Sequence, residues 1–451
     1  MDKSVIFRAV TVAAGRFAPG HLGELTRQVP FEMVDAVLEE TRRTERRTRD
    51  IPARVAVYLL LAGCLFAELG YPQVWGRLTA GLDGLAVAVP AASALTQARK
   101  RLGSGPLRAL FDLLKGASPG DVRWRGLLVC AVDGTIMTLA DSAPNLAVYR
   151  KPGGSSYPQL RLLALVACGT RTVIDAVFGP TSSGETTYTA ALVRSLHAGM
   201  LLLADRNFGS GPLCRLIAAA EADFLIRVKT GGNGPKLPVM RRLADGSWIS
   251  LFGGVEVRVI DAAWTVTTSA GTVTSGCRLI ATLTDETRYP AADLAALYHE
   301  RWEIETAYLE IKSTVLGGRV LRARTPSGVE QEVLALLVTY QALRTAIADA
   351  AATVPGTDPD RGSFTTALSA ARDQVILAAG VIADTVIDLA GTIGRQVLAD
   401  LMPPRRLRVS PRVVKRAISK YNARGKIDRK TYQATIDIAV LVPDLPPDTE
   451  P

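Results

Sequence analysis

Apolar positions along this chain change their period as it is followed from one end to the other. Up to about residue 120 they recur every three or four residues, in VDAVLEETRRTERR, PARVAVYLLLAGCLFAELG, ASALTQARKRLG and PLRALFDLLKG, with Gly- and Pro-containing breaks between them. That spacing gathers the apolar side chains on one face of each helix and predicts a small helical domain over 1–120. From Gly126 the pattern becomes short apolar runs rich in β-branched residues: LLVCAVDGT, LRLLALVAC and TVIDAVFG. A helical stretch TYTAALVRSLHAG follows, then the run MLLLADRNFG, a helical PLCRLIAAAEA, and FLIRVK. The order strand, strand, strand, helix, strand, helix, strand predicts an α/β domain over 121–345, a mixed sheet covered by helices. Between 231 and 288 the chain turns Gly- and Thr-rich with alternating strand-like runs, which reads as a β-rich insertion. A helix from Ala291 to about Val315 and a second, long apolar one, VEQEVLALLVTYQALRTAIADAAATV, come next. The linker VPGTDPDRG then leads into a helical, basic region over 346–451.

Composition narrows what such a chain does. At 451 residues it exceeds the usual ceiling for one core. The apolar run Val55–Ala67, bounded by Arg54 and Glu68, falls short of the ~20 residues of a membrane span. The apolar stretch at the N-terminus is interrupted by Arg8 and Arg16, a poor secretory signal. The expectation is a cytoplasmic protein, not associated with a membrane. The five cysteines are scattered without a CxxC pair, and three histidines, His21, His197 and His299, form no zinc motif. A metal would therefore be held by carboxylates, which favours magnesium or manganese. GGNGPK at 231–236 lacks the GK[ST] ending of a phosphate loop, so no use of ATP is expected.

The net charge of +10 is local. Between Pro403 and Lys430 eleven basic residues face one acid, Asp428, so this segment carries the whole excess and the rest of the chain is neutral. Arg412, Lys415, Arg416 and Lys420 follow Pro411 at helical spacing and form one basic face suited to a DNA backbone. A second basic stretch, Arg42–Arg54, reads equally well as a solvated helix end. Trp302 reads as a packing residue; Trp248 and Trp264 read as core, with stacking on an extruded base as the alternative.

Candidate chemistry centres on acids. Asp133 and Asp205 each close an apolar strand, at the sheet edge where ligands often bind, although each alone also fits a turn or a cap. Tyr298, Arg301, Glu305 and Lys312 stand at offsets 0, 3, 7 and 14, which at ~100° per residue places them within a roughly 60° arc of one helix face. Glu300, Glu303 and Glu310 point away from that arc and are excluded as ligands. YHERWEIETAYLEIK, at 298–312, matches Y-x2-R-x3-E-x6-K, the signature of the insertion sequence 4 family of transposases within the DDE superfamily. VDGT at 132–135 and LLLADRNFG at 201–209 resemble the family's two aspartate motifs, and PRVVKRAISKYNARGK resembles the tails of bacterial members.

The resemblance implies a ribonuclease H-like fold in which Asp133, Asp205 and Glu305 bind two divalent ions, Mg2+ or Mn2+. It implies cleavage at the terminal inverted repeats of an insertion element and strand transfer to target DNA, by a homodimer on paired ends. Tyr298, Arg301 and Lys312 would contact DNA phosphates near the cut. Two other classes compete: a non-catalytic DNA-binding relative, domesticated or inhibitory, which loss of a carboxylate would favour, and a nuclease that shares the metal site but does not join strands.

Overall fold

The computed structural model describes residues 10–11, 17–45, 47, 49–82, 85–118, 121, 123–232, 234–378, 390–403, 408–409 and 432–441. The first part is built of helices α1 (Phe31–Glu40), α2 (Ala53–Leu65), α3 (Tyr71–Thr79), α4 (Ala92–Leu102) and α5 (Gly105–Leu114). Pro30 and Pro52 immediately precede α1 and α2, and Pro72 and Pro106 sit in the first turns of α3 and α5. A first turn tolerates proline because its N–H groups have no helical partner. α2 buries every residue from Val55 to Leu65, so the most apolar run of this region is core.

Strands β1 (Leu127–Thr138), β2 (Gln159–Ala167), β3 (Val173–Pro180), β4 (Met200–Ala204) and β5 (Asp223–Val228) lie in the order β3-β2-β1-β4-β5. β2 runs antiparallel to β1 and β3, while β1, β4 and β5 are parallel. Helix α6 (Ala143–Tyr149) lies between β1 and β2, and α7 (Glu185–Leu192) and α8 (Gly211–Ala219) make the crossovers that parallel pairing requires. This strand order and these directions are the ribonuclease H-like sheet. Alternation along β1 sends Val129 and Ala131 to one core and Cys130 and Val132 to the other, so the sheet is covered on both faces.

The insertion consists of β6 (Trp248–Phe252), β7 (Val255–Thr268) and β8 (Gly271–Ala281). β8 pairs with β5 from Arg278↔Val228 to Ala281↔Leu225, which makes the insertion a continuation of the main sheet. The expected single helix over Ala291–Val315 is composite. It runs as α9 (Ala291–Leu297), a 3-10 turn over Tyr298–Arg301, α10 (Trp302–Leu309) and a π-helical turn over Glu310–Val315. α11 (Pro326–Ala352) follows and runs through position 345, where the sequence pattern had suggested a boundary. It is long and apolar enough to cross a membrane, yet 83% of its apolar window is buried inside the protein, as in a core helix.

The C-terminal region is helical in α12 (Phe364–Ile376) and α13 (Gly391–Ala399), but not throughout. Tyr432–Val440 forms β9, which pairs antiparallel with β7 from Ala262↔Val440 to Thr268↔Ala434. The reason is visible in its side chains: Ala434, Ile436, Ile438 and Val440 alternate with more exposed residues, the period of a strand. Arg412, Lys415, Arg416 and Lys420 lie outside the described residues.

Candidate active site

The site forms where β1 and β4 part: Asp133 lies within β1, which runs on to Thr138 instead of ending at the acid as its sequence suggested, and Asp205 directly follows the last residue of β4. Val132 pairs with Ala204 across these parallel strands, so Asp133 and Asp205 are the next residues on neighbouring strands. The Asp205 carboxylate accepts the Asn207 backbone N–H at 2.8 Å, a tight turn that fixes its direction. Asp133 accepts the Gly134 N–H at 2.7 Å. Space beside Gly134 is tight: a Cβ there would stand 3.0 Å from Oε1 of Glu185, at the start of α7.

The third acid arrives from the other side of the chain. Glu305 sits in α10, one turn after Arg301, whose Nη2 donates to Glu305 Oε1 at 3.1 Å. The same guanidinium places Nη1 3.8 Å from Asp133 Oδ2, so one cation spans the first and third carboxylates. Burial pushes the Asp133 carboxyl up from 3.8 to about 6; the nearby charges of Asp205 and Glu305 add to this, while the Gly134 amide and Arg301 work against it. Lys312 donates to Thr135 Oγ1 at 3.3 Å, and its burial lowers the pKa of the ammonium. Tyr298 is buried; its hydroxyl donates to the carbonyl of Ala204 at 3.1 Å, directly before Asp205, and its ring lies parallel to that of Trp264 at 5.8 Å.

The four signature residues thus surround the strand ends, with Tyr298 beneath and Arg301, Glu305 and Lys312 beside them. A further residue, Tyr308, escaped the sequence pattern. Its hydroxyl accepts the Ala164 N–H at 2.9 Å and donates to the Asp133 carbonyl at 2.6 Å. Ala164 is the β2 partner of Asp133, so the phenol stands in the ladder at the first carboxylate. An aromatic residue in an apolar helix reads as packing, and only the strand pairing reveals this task. Trp302 departs from expectation: it is 45% exposed, at the point where the 3-10 turn passes into α10, with the Arg301 guanidinium 5.1 Å from its ring. Trp248 and Trp264 are buried. Glu303 and Glu310 face away from the site and pair with Arg171 and, for Glu310, Arg344.

Comparison with known proteins gives this geometry a context. The family description "Insertion element 4 transposase N-terminal" matches residues 19–112, and "Transposase DDE domain" matches residues 124–341. The transposase InsG for insertion sequence element IS4 of Escherichia coli K12 is 27% identical over 412 residues, 86% of this chain and 91% of that one. This chain belongs to the insertion element 4 family of DDE transposases. A second Escherichia coli K12 relative, InsZ, is 27% identical over 197 residues, 41% of the transposase and 64% of InsZ. Among solved structures, a cryo-EM structure of the piggyBac transposase synaptic complex with hairpin DNA covers 84% of each chain at 10% identity, with a TM-score of 0.42.

The transposase is therefore a DNA-binding enzyme that depends on divalent metal. The donors fit such an ion chemically: Asp133, Asp205 and Glu305 offer oxygen alone, the preference of small hard cations. Among the described residues no three acidic, histidine or cysteine side chains yet stand close enough to enclose a metal. Arg301 bridges two of the acids instead.

Proposed function

We propose that the transposase cuts the ends of an insertion element and joins them to target DNA, with Asp133, Asp205 and Glu305 as its metal-binding carboxylates. The observation that carries this is convergence: two acids just past the last parallel pair of adjacent strands, and a third that shares one guanidinium with the first. We assign two ions, Mg2+ or Mn2+, to the site. Such a pair activates an attacking oxygen and stabilises a leaving oxygen at phosphorus.

The remaining work falls to the chain. Arg301 is placed to turn its fork onto two phosphate oxygens, and Lys312 to meet another as a point charge. Tyr298 supports the strand end under Asp205; a phosphate contact from its hydroxyl would require it to leave Ala204. Water is the first nucleophile and the freed 3′-hydroxyl the second, so no covalent protein–DNA intermediate is needed. Two ends require two active sites, which implies a homodimer on paired ends. Residues 1–120 hold the terminal repeats, residues 121–345 carry the chemistry, and 346–451, with Arg412, Lys415 and Arg416, add backbone contacts. The setting is the bacterial nucleoid.

The test is cleavage of labelled DNA carrying the element's own terminal repeats, with Mg2+ or Mn2+, by the native chain and by Glu305→Ala. The variant is expected to lose nicking and joining by roughly 10⁴-fold while it keeps DNA affinity. Equal cleavage by both proteins would remove Glu305 from the chemistry.

A further inference from the structure

The connection between α1 and α2 meets the C-terminal end of α4 around a cavity of about 400 Å³. Arg42, Arg43, Arg47, Arg49 and Arg101 line it, with Glu45 as the one acid among its described lining residues. Glu45 is already shared, with Arg49 Nε at 3.3 Å and Arg101 Nη2 at 3.5 Å from the same oxygen. Arg43 donates to the Arg101 carbonyl at 3.0 Å, where a helix end favours a cation. Arg42 and Arg47 are exposed and make no ion pair among the described residues. Five guanidiniums thus converge on one mouth against a single carboxylate, and solvated arginines free to choose would stay apart.

The backbone sharpens the point. Arg42 has φ 54, the left-handed conformation that a glycine after a helix adopts without strain. Non-glycine residues in this conformation are uncommon and gather at functional sites, although Arg150 ends α6 in the same way. The rim is also rigidly mounted. Gln331 of α11 donates to the carbonyls of Arg99 and Gly103 at 3.1 and 2.7 Å, tying the end of α4 to the long helix that follows the catalytic one.

We propose that this cavity is a binding site for backbone phosphates of duplex DNA, at a fixed distance from the cleavage site. The assignment rests on the transposase reading. Free inorganic phosphate shares the chemistry, but a duplex presents several phosphates to several arginines and releases counterions when they are neutralised. The site holds register and does not read sequence, because phosphates are common to every sequence.

The test uses the full chain with Arg42→Gln, Arg47→Gln and the double variant. Fluorescence anisotropy with a terminal-repeat duplex, over a range of KCl concentrations, should show the slope of log affinity against log salt fall by roughly one for each arginine removed. Without DNA the variants should melt at or above the native temperature, because like charges are relieved. Inorganic phosphate at constant ionic strength should raise the native melting temperature more than that of the double variant. If the native chain binds and cleaves but the double variant shows the same salt slope, the cavity is a solvated surface and the assignment falls while the transposase reading stands. If phosphate alone discriminates native from variant, the site takes free anions and the DNA assignment falls. If the native chain neither binds nor cleaves, both fall together.

Discussion

His21 is buried between two backbone groups. Its Nδ1 accepts the Gly23 N–H at 3.0 Å, so Nε2 carries the proton and donates it to the Leu78 carbonyl at 2.8 Å. A second proton would have no place, and burial lowers the pKa from 6.5 to about 4 against the opposing pull of the Leu78 bond. The unfolded chain binds that proton more readily, so the contribution to stability is complete above pH 6.5 and is lost as pH falls through about 4. The amount at stake is on the order of 3 kcal/mol. Urea midpoints between pH 7 and pH 4 should therefore fall more steeply for the native chain than for His21→Gln, which takes up no proton; parallel curves would remove His21 from this account. At this scale the sequence was informative where chemistry is local. An acid after an apolar run singles out Asp133 and Asp205 as candidates, although β1 runs on past Asp133 to Thr138, and spacing on a helix singles out Glu305. It was silent where chemistry depends on a distant partner: nothing near His21 announces Leu78, and nothing near Tyr308 announces Ala164.

The helix that carries Glu305 changes its winding three times, and its seating on the sheet depends on one phenol. Tyr308 lies three residues beyond Glu305 and grips β1 at Asp133 and β2 at Ala164. Tyr308→Phe leaves a buried N–H and a buried carbonyl without that partner, which costs about 1–3 kcal/mol for each group left unsatisfied. It also frees Glu305 to drift from Asp133. Cleavage at saturating DNA should slow by roughly 10-fold or more, since displacements of an ångström carry penalties of this size, while the Kd for DNA stays constant. Hydrogen exchange at Ala164 should accelerate. Native rates on both counts would make the hydroxyl dispensable. A uniform 3.6-residue period predicted an unbroken helix here; the 3-10 and π turns adjust its phase, and neither has a marker in the apolar pattern. The same limit applies to β9, whose alternation is local but whose partner, β7, stands more than 150 residues earlier in the chain.

Two distant parts of the molecule meet at Glu310, and a third joins through Arg171. Glu310 pairs with Arg171, from the turn between β2 and β3, and with Arg344 of α11; Tyr340 donates to it at 3.0 Å, and Arg171 also holds Asp360 from beyond α11. Arg344 is fully buried, so a missing partner leaves a cation in the interior. Glu310→Gln should cost about 3–5 kcal/mol, read as a lower urea midpoint, and a midpoint unchanged from native would show that the pairing is replaceable. Charges this deep were legible only as exclusions: their helical phase ruled them out as ligands but did not say what they hold. Around them, one continuous core runs from Ala18 to Val397 and includes residues of α2, α5, α11 and the catalytic sheet. The N-terminal helices and one face of the catalytic sheet consequently share an interior, while the other face of the sheet packs on a second core. If the first 120 residues hold the terminal repeats as proposed, transplanting them onto another catalytic body would also require rebuilding the floor beneath both.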